Sequence, residues 1–172
     1  MREAAVHADH PHTPSKSERY ARLRADVEAL VAGEDDWLAN LANVAAAVYA
    51  ALPGLNWAGF YLMRGGALVV GPFQGLPACV RIEVGRGVCG AAAQERATHI
   101  VRDVHAFPGH IACDPRSRSE IVVPVIVDGV VVAVLDLDSD RLAHFDEEDR
   151  SGLEALVLDL TTAVDWDRAR RV

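Results

Sequence analysis

The chain has 172 residues, 51% of them apolar, and a formal net charge of −8. That length predicts one domain with a sizeable core. The acidic balance and the scatter of the arginines exclude a nucleic-acid binder, which needs a basic patch, and no apolar run reaches the roughly 18 residues of a membrane span.

Residues 1–15 carry three histidines, two prolines and no apolar periodicity. They predict a flexible N-terminal tail, with 16–172 as a single domain. The start, Met1-Arg2-Glu3-Ala4-Ala5-Val6-His7, lacks the apolar core of a signal peptide, which predicts a cytoplasmic protein with reduced thiols. Ser17 to Val31 spaces Tyr20, Leu23, Val27, Leu30 and Val31 as a helix that Gly33 ends. A second helix runs from about Asp35 along Trp37, Leu38, Leu41, Val44, Ala45, Val48 and Leu52, and Pro53-Gly54 stops it. Asn56 to Met63 predicts a strand, Arg64-Gly65-Gly66 a turn, and Ala67 to Gln74 the partner strand. Gly75 to Val84 reads as irregular. A short helix opens at Gly85-Arg86-Gly87-Val88-Cys89-Gly90 and runs to about Glu95; this segment lacks the Lys-Ser/Thr ending of a phosphate loop. Thr98 to Val101 is a brief strand, and 102–118 is a long loop of the kind that is usually functional or disordered. Ser119 to Val127 and Val130 to Asp138 form a hairpin about Asp128-Gly129. Asp146 caps a last helix with the acidic first turn Glu147-Glu148-Asp149, and the basic Arg168-Ala169-Arg170-Arg171 ends it. Runs of adjacent strands predict an α+β domain, a central antiparallel sheet flanked by N- and C-terminal helices.

Strict alternation along the last strand puts Val130, Val132, Val134, Asp136 and Asp138 on one face and Val131, Ala133, Leu135 and Leu137 on the other. Two carboxylates then emerge together at the end of an apolar row, either as the solvated end of a strand or as acids aimed at a polar ligand. Counting back from the turn places Glu120 opposite about Leu137, near both acids along the sheet but on a face left open. Closely placed carboxylates raise one another's pKa, so one can hold a proton at neutral pH.

The three cysteines, Cys79, Cys89 and Cys113, are ten and twenty-four residues apart, which is neither C-x-x-C nor a zinc pattern. They are core hydrophobes or redox participants. The long loop returns Cys113 to the end of the hairpin where the acids sit. Such a mixed site suits sulfoxide reduction. A thiolate attacks the sulfoxide sulfur while an acid protonates the departing oxygen, and a second cysteine condenses the resulting sulfenic acid to a disulfide. Trp57 and Tyr61, four apart in a strand, share a face and are either core or walls for a methyl-sulfinyl group. His99, His105, His110 and Cys113 form the one conceivable metal set; their spacing matches no compact zinc pattern, and no metal is expected.

Longer runs carry a resemblance. These are Asn56-Trp57-Ala58-Gly59-Phe60-Tyr61, Gly71-Pro72-Phe73-Gln74-Gly75, Pro77-Ala78-Cys79-Val80-Arg81-Ile82 and Gly85 to Gly90. Asp103 to Asp114, Ser117 to Pro124 and Leu135-Asp136-Leu137-Asp138-Ser139 complete them. Over about residues 20–165 the chain closely resembles the free methionine-(R)-sulfoxide reductases, a single-domain branch of the GAF family. The resemblance implies a GAF fold and a homodimer. It implies that Cys113 is the catalytic cysteine, Cys79 the preferred resolving cysteine and Cys89 a third that also joins a disulfide. Glu120, Asp136 and Asp138 match the pocket acids, and Trp57 and Tyr61 the aromatic wall around the substrate methyl group. It further implies free methionine sulfoxide as substrate, no bound cofactor, and thioredoxin as external reductant. The rival expectations are a GAF module that only binds a ligand or senses redox state, and a structural domain with inert thiols. Thiol titration with substrate separates them, because only an enzyme loses two thiols per methionine formed.

Overall fold

The computed structural model describes residues 14–111 and 113–170. Most of the expected tail lies outside them, as does Arg171. Ser15 caps helix α1 (Lys16–Val31) in a capping box with Glu18, and Asp36 caps α2 (Trp37–Ala51) through the N–H groups of Leu38 and Ala39. Strands β1 (Leu55–Arg64), β2 (Ala67–Gly75) and β3 (Arg81–Glu83) follow, then α3 (Gly87–Glu95) and β4 (His99–Val101). A 3-10 turn (Val104–Ala106) leads to β5 (Ser119–Val127), β6 (Val130–Ser139), α4 (Glu147–Ala163) and α5 (Trp166–Arg170). Asp146 caps α4 in a second capping box, with Asp149 returning to its backbone N–H.

The sheet has six strands in the order β3-β2-β1-β6-β5-β4, and every pairing is antiparallel. Helices α1, α2, α4 and α5 cover one face. There Leu23, Leu41, Val48, Phe60, Leu135, Leu153 and Leu160 form the main core. Each such side chain contributes about 1.5–3 kcal/mol by leaving water. A smaller core fills the opposite face beneath α3, from Trp57, Tyr61, Leu68, Val88, Ala92, Val122 and Val134. The functional side chains lie on this second face.

Three short elements depart from the sequence expectation. β3 arises inside the segment read as irregular, with only Ile82 buried between exposed Arg81 and Glu83. A three-residue strand offers too little alternation to read. The 3-10 turn interrupts the long loop, capped by the Asp103 carboxylate accepting from the His105 N–H at 3.0 Å. The last helix breaks at Val164, and α5 restarts at Trp166, whose indole N–H donates to the Leu160 carbonyl at 2.8 Å.

The decisive departure is a β-bulge in β6. Val125 pairs with Ala133 but Ile126 pairs with Val131, so Val132 is an extra residue. Val132 therefore joins Ala133, Leu135 and Leu137 in the helix-side core, while Val131 joins Val134 on the other face. Strict alternation assigned both the wrong way. The same insertion moves the register by one, so Glu120 pairs with Asp138 and not with Leu137. Opposed residues share a face. Glu120 keeps the face of Val122 in β5; without the bulge Leu137 would oppose it, and with it both aspartates share its face.

Candidate active site

Three strands present a common row. Trp57 of β1, Asp138 of β6 and Glu120 of β5 are direct neighbours, and Gly59, Asp136 and Val122 form the next row. Gly59 lies between Trp57 and Tyr61 on their own face, so no side chain separates their rings. They stack at 5.8 Å between centroids, and Trp57 stacks on Phe73 at 5.3 Å. A Cβ on Gly59 would sit 2.3 Å from that of Phe73. Above these rows lies α3, whose Cys89 brings Sγ to 3.9 Å from Glu120 Oε1.

The loop before β5 closes the site. Cys113 is bonded to Cys79 in a disulfide, and Cys89 is a buried free thiol. Cys89, Cys113, Trp57, Tyr61 and the three acids line one cavity with His110, Ile111, Asp114 and Ser117. All eight side chains singled out from the sequence therefore meet: Cys79, Cys89, Cys113, Glu120, Asp136, Asp138, Trp57 and Tyr61 (Cys79 next to the lining residue Ala78). The interior of about 40 Å³ exceeds the roughly 10–15 Å³ one water needs, so small polar groups can enter.

The acids share few donors and much burial. Burial first, then Asp136 and Asp138, pushes Glu120 well above the ordinary carboxylate range. Burial, then Asp136, does the same to Asp138. Asp136 is pushed up to about 7 by burial, opposed by hydrogen bonds with Cys89 and Glu120. Burial and these carboxylates also raise the Cys89 thiol well above its usual value, so it is neutral. The site holds carboxylic acids able to donate protons beside one acid that ionises near neutrality.

Two buried polar atoms at the cavity lack a partner: Asp136 Oδ1 and Trp57 Nε1. An unsatisfied buried group costs about 1–3 kcal/mol, so a ligand supplying a donor to one and an acceptor to the other is favoured. The donor atoms of Cys89, Glu120 and Asp136 lie within 4.8 Å of one another, the one such group among the described residues that could hold a cation. The histidine set is not gathered. His99 faces Glu95 and Phe107, and His105 faces His110 edge-on.

A matching family model, described as GAF domain, spans residues 39–165. Free methionine-R-sulfoxide reductase of Escherichia coli K12 is 52% identical over 146 residues, covering 85% of this chain and 88% of its own. Free methionine-R-sulfoxide reductase of Neisseria meningitidis, solved in complex with its substrate, superposes with a TM-score of 0.87 at 46% identity, covering 95% of this chain and 99% of its own. A structure described as a GAF sensor protein from Burkholderia vietnamiensis gives the same TM-score at 57% identity, covering 91% and 99%. The chain belongs to the free methionine-R-sulfoxide reductases of the GAF domain family.

Within this family member, sequence reading passed over four residues beside the site: Asn56, Asp114, Arg116 and Ser117. Asp114 is buried, yet its carboxylate is held down to about 2, chiefly by the Arg116 guanidinium, with the Arg116 N–H and Asn56 amide adding to it. The signal available was the turn chemistry of Asp114-Pro115-Arg116-Ser117, where an Asp side chain caps the N–H two residues on. No helix among the described residues is long and apolar enough to cross a membrane.

Proposed function

We propose that this protein reduces free L-methionine (R)-S-oxide to methionine, and the observation that carries the reading is one cavity lined by the disulfide-bonded Cys113, three clustered carboxyl groups and an aromatic wall. Cys113, as thiolate, attacks the sulfoxide sulfur. Glu120 and Asp138 hold the sulfoxide oxygen, and one of them supplies the proton that the oxygen needs. The protonated oxygen then passes from the substrate sulfur to the Cys113 sulfur as the new sulfur–sulfur bond breaks, so that methionine leaves and Cys113 carries the oxygen as sulfenic acid. The Cys79 thiol displaces it as water, forming the Cys79–Cys113 disulfide found here. Two electrons from an external dithiol, thioredoxin, restore both thiols. No bound cofactor takes part.

The unpartnered groups support an amino acid as ligand. Asp136 Oδ1 suits the substrate ammonium, and the Trp57 N–H suits one of its oxygens. A peptide has neither charged end at the required place and leaves buried groups unpaired, which excludes it. Trp57 and Tyr61 enclose the methyl group, where sulfur–aromatic contact contributes about 0.3–1.5 kcal/mol. Cys89 is a second candidate for the resolving step. The protein acts as a homodimer in the cytoplasm.

The test is an NADPH-coupled thioredoxin assay with free R, free S and peptide-bound sulfoxide. Turnover is expected with free R alone. Absence of turnover with all three, and retention of every thiol, overturns the reading in favour of a ligand-binding or redox-sensing module.

A further inference from the structure

We propose that Asn56 is a positioning residue that ties the Cys113 segment to β1 beside the acid Asp138, so that nucleophile and proton donor meet the substrate in register. The inference rests on the reductase reading. Its geometry starts from a second irregularity of the sheet. Leu55 pairs with Ser139 but Trp57 pairs with Asp138, so Asn56 is the extra residue of a bulge in β1. Bulges re-aim side chains, and this one sits immediately before the aromatic wall.

The Asn56 amide spends both hydrogens on the Cys113 loop. Nδ2 donates to Asp114 Oδ2 at 3.0 Å and to Ser117 Oγ at 2.9 Å. Its Oδ1 is buried without a partner, so the amide is held by its donor side alone. Asp114 directly follows Cys113. It is clamped from outside by Arg116, whose Nε and Nη2 reach it at 3.1 Å and 2.7 Å, and whose backbone N–H caps Oδ1 at 2.9 Å. Ser117 is 3% exposed, and its N–H donates to the Asp114 carbonyl at 3.1 Å. The chain Arg116–Asp114–Asn56–Ser117 thus fastens the residue after the nucleophile to β1, one residue before Trp57, which pairs with Asp138. Asn56 is its central link and its one anchor on the rigid sheet.

The function of the clasp is geometric. The Cys113 segment must exchange between attack on substrate and bonding to Cys79, so it cannot be held by packing on every side. Displacement of a reacting atom by about 1 Å can cost about a hundredfold in rate.

The experiment compares wild type with Asn56→Ala, Asn56→Asp and Ser117→Ala in an assay recycled by dithiothreitol, with melting temperatures alongside. Asn56→Asp keeps the shape and removes the donors. All three are expected to lose about ten- to hundredfold in kcat with KM nearly unchanged, and Asn56→Asp to do no better than Asn56→Ala. Asn56→Asp at wild-type kcat, or a loss confined to KM, overturns the proposal. If an Asn56 variant fails to fold, Ser117→Ala alone decides: its kcat falls, or the proposal fails. Iodoacetamide alkylation of reduced Cys113 on a Cys79→Ser, Cys89→Ser background is independent of turnover. There Asn56→Asp is expected to change the Cys113 rate several-fold, and an unchanged rate overturns the clasp. Wild type inactive on free R-sulfoxide, with that rate still Asn56-dependent, would instead fail the reductase reading and keep the clasp.

Discussion

Asp136 shows how a single side chain reflects its surroundings. It is 5% exposed and one of its oxygens has no partner. Its pKa is raised to about 7, chiefly by burial, from about 3.9 in an unfolded chain. A carboxyl raised on folding binds its proton more tightly in the native state. Its ionisation therefore removes stability as pH rises from about 4 through about 7. Asp136→Asn is expected to match wild type in urea unfolding at pH 4 and to exceed it by up to a few kcal/mol at pH 8. Equal stability at pH 8 would mean that Asp136 is not strained by burial. The same substitution removes the proposed partner of the substrate ammonium, so KM is expected to rise. Cys113→Ser is expected to lose about a thousandfold or more in kcat/KM, because no other thiol occupies its place. Cys89, raised by burial and its carboxylate neighbours, is a poor replacement. Substantial turnover by Cys113→Ser would remove it as nucleophile.

Between elements, close approach matters more than propensity. Gly152 lies inside α4, where alanine would ordinarily stabilise the helix by about 1 kcal/mol. A Cβ there would sit 2.3 Å from Cγ of Tyr20 on α1. Tyr20 is itself pinned, its hydroxyl donating to Asp149 Oδ1 at 3.0 Å. Gly152→Ala is therefore expected to destabilise the protein by roughly 1–3 kcal/mol in thermal or urea unfolding. A gain in stability would show that α1 and α4 separate freely. The bulge at Val132 has the larger functional consequence, since it brings Asp136 and Asp138 onto the face of Glu120. Deleting Val132 is expected to abolish activity through loss of this register, read as absent turnover in a chain that still shows the far-ultraviolet signature of the fold.

At the scale of the whole molecule, the disulfide joins the segment between β2 and β3 to the loop before β5, across 34 residues of sequence. Closing a loop of that length limits the unfolded chain and stabilises the folded one by about 3–4 kcal/mol. Oxidised protein is expected to melt several degrees above reduced protein, and Cys79→Ser to show no such dependence on redox state. A Cys79→Ser protein whose melting still follows oxidation would point to Cys89 as the partner of Cys113. The two layers divide the work. Four helices and the main core hold one face of the sheet, which leaves the other free to carry charge, thiols and a cavity.

The element order, the antiparallel sheet and the caps at Ser15, Asp36 and Asp146 follow from local chemistry, because periodicity and capping act over a few residues. The site cysteines, acids and aromatics are also legible in the chain, the nucleophile only through long family-specific runs. What the tertiary structure alone decided is that Glu120 shares a face with the aspartates and that Asn56 bonds to the loop after Cys113. Each depends on a single inserted residue or on a loop returning across the sheet. A bulge changes no residue type and leaves no periodic mark, yet it reverses every side chain beyond it. Glu120 shares a face with Asp136 and Asp138 only after that reversal, which no local rule contains.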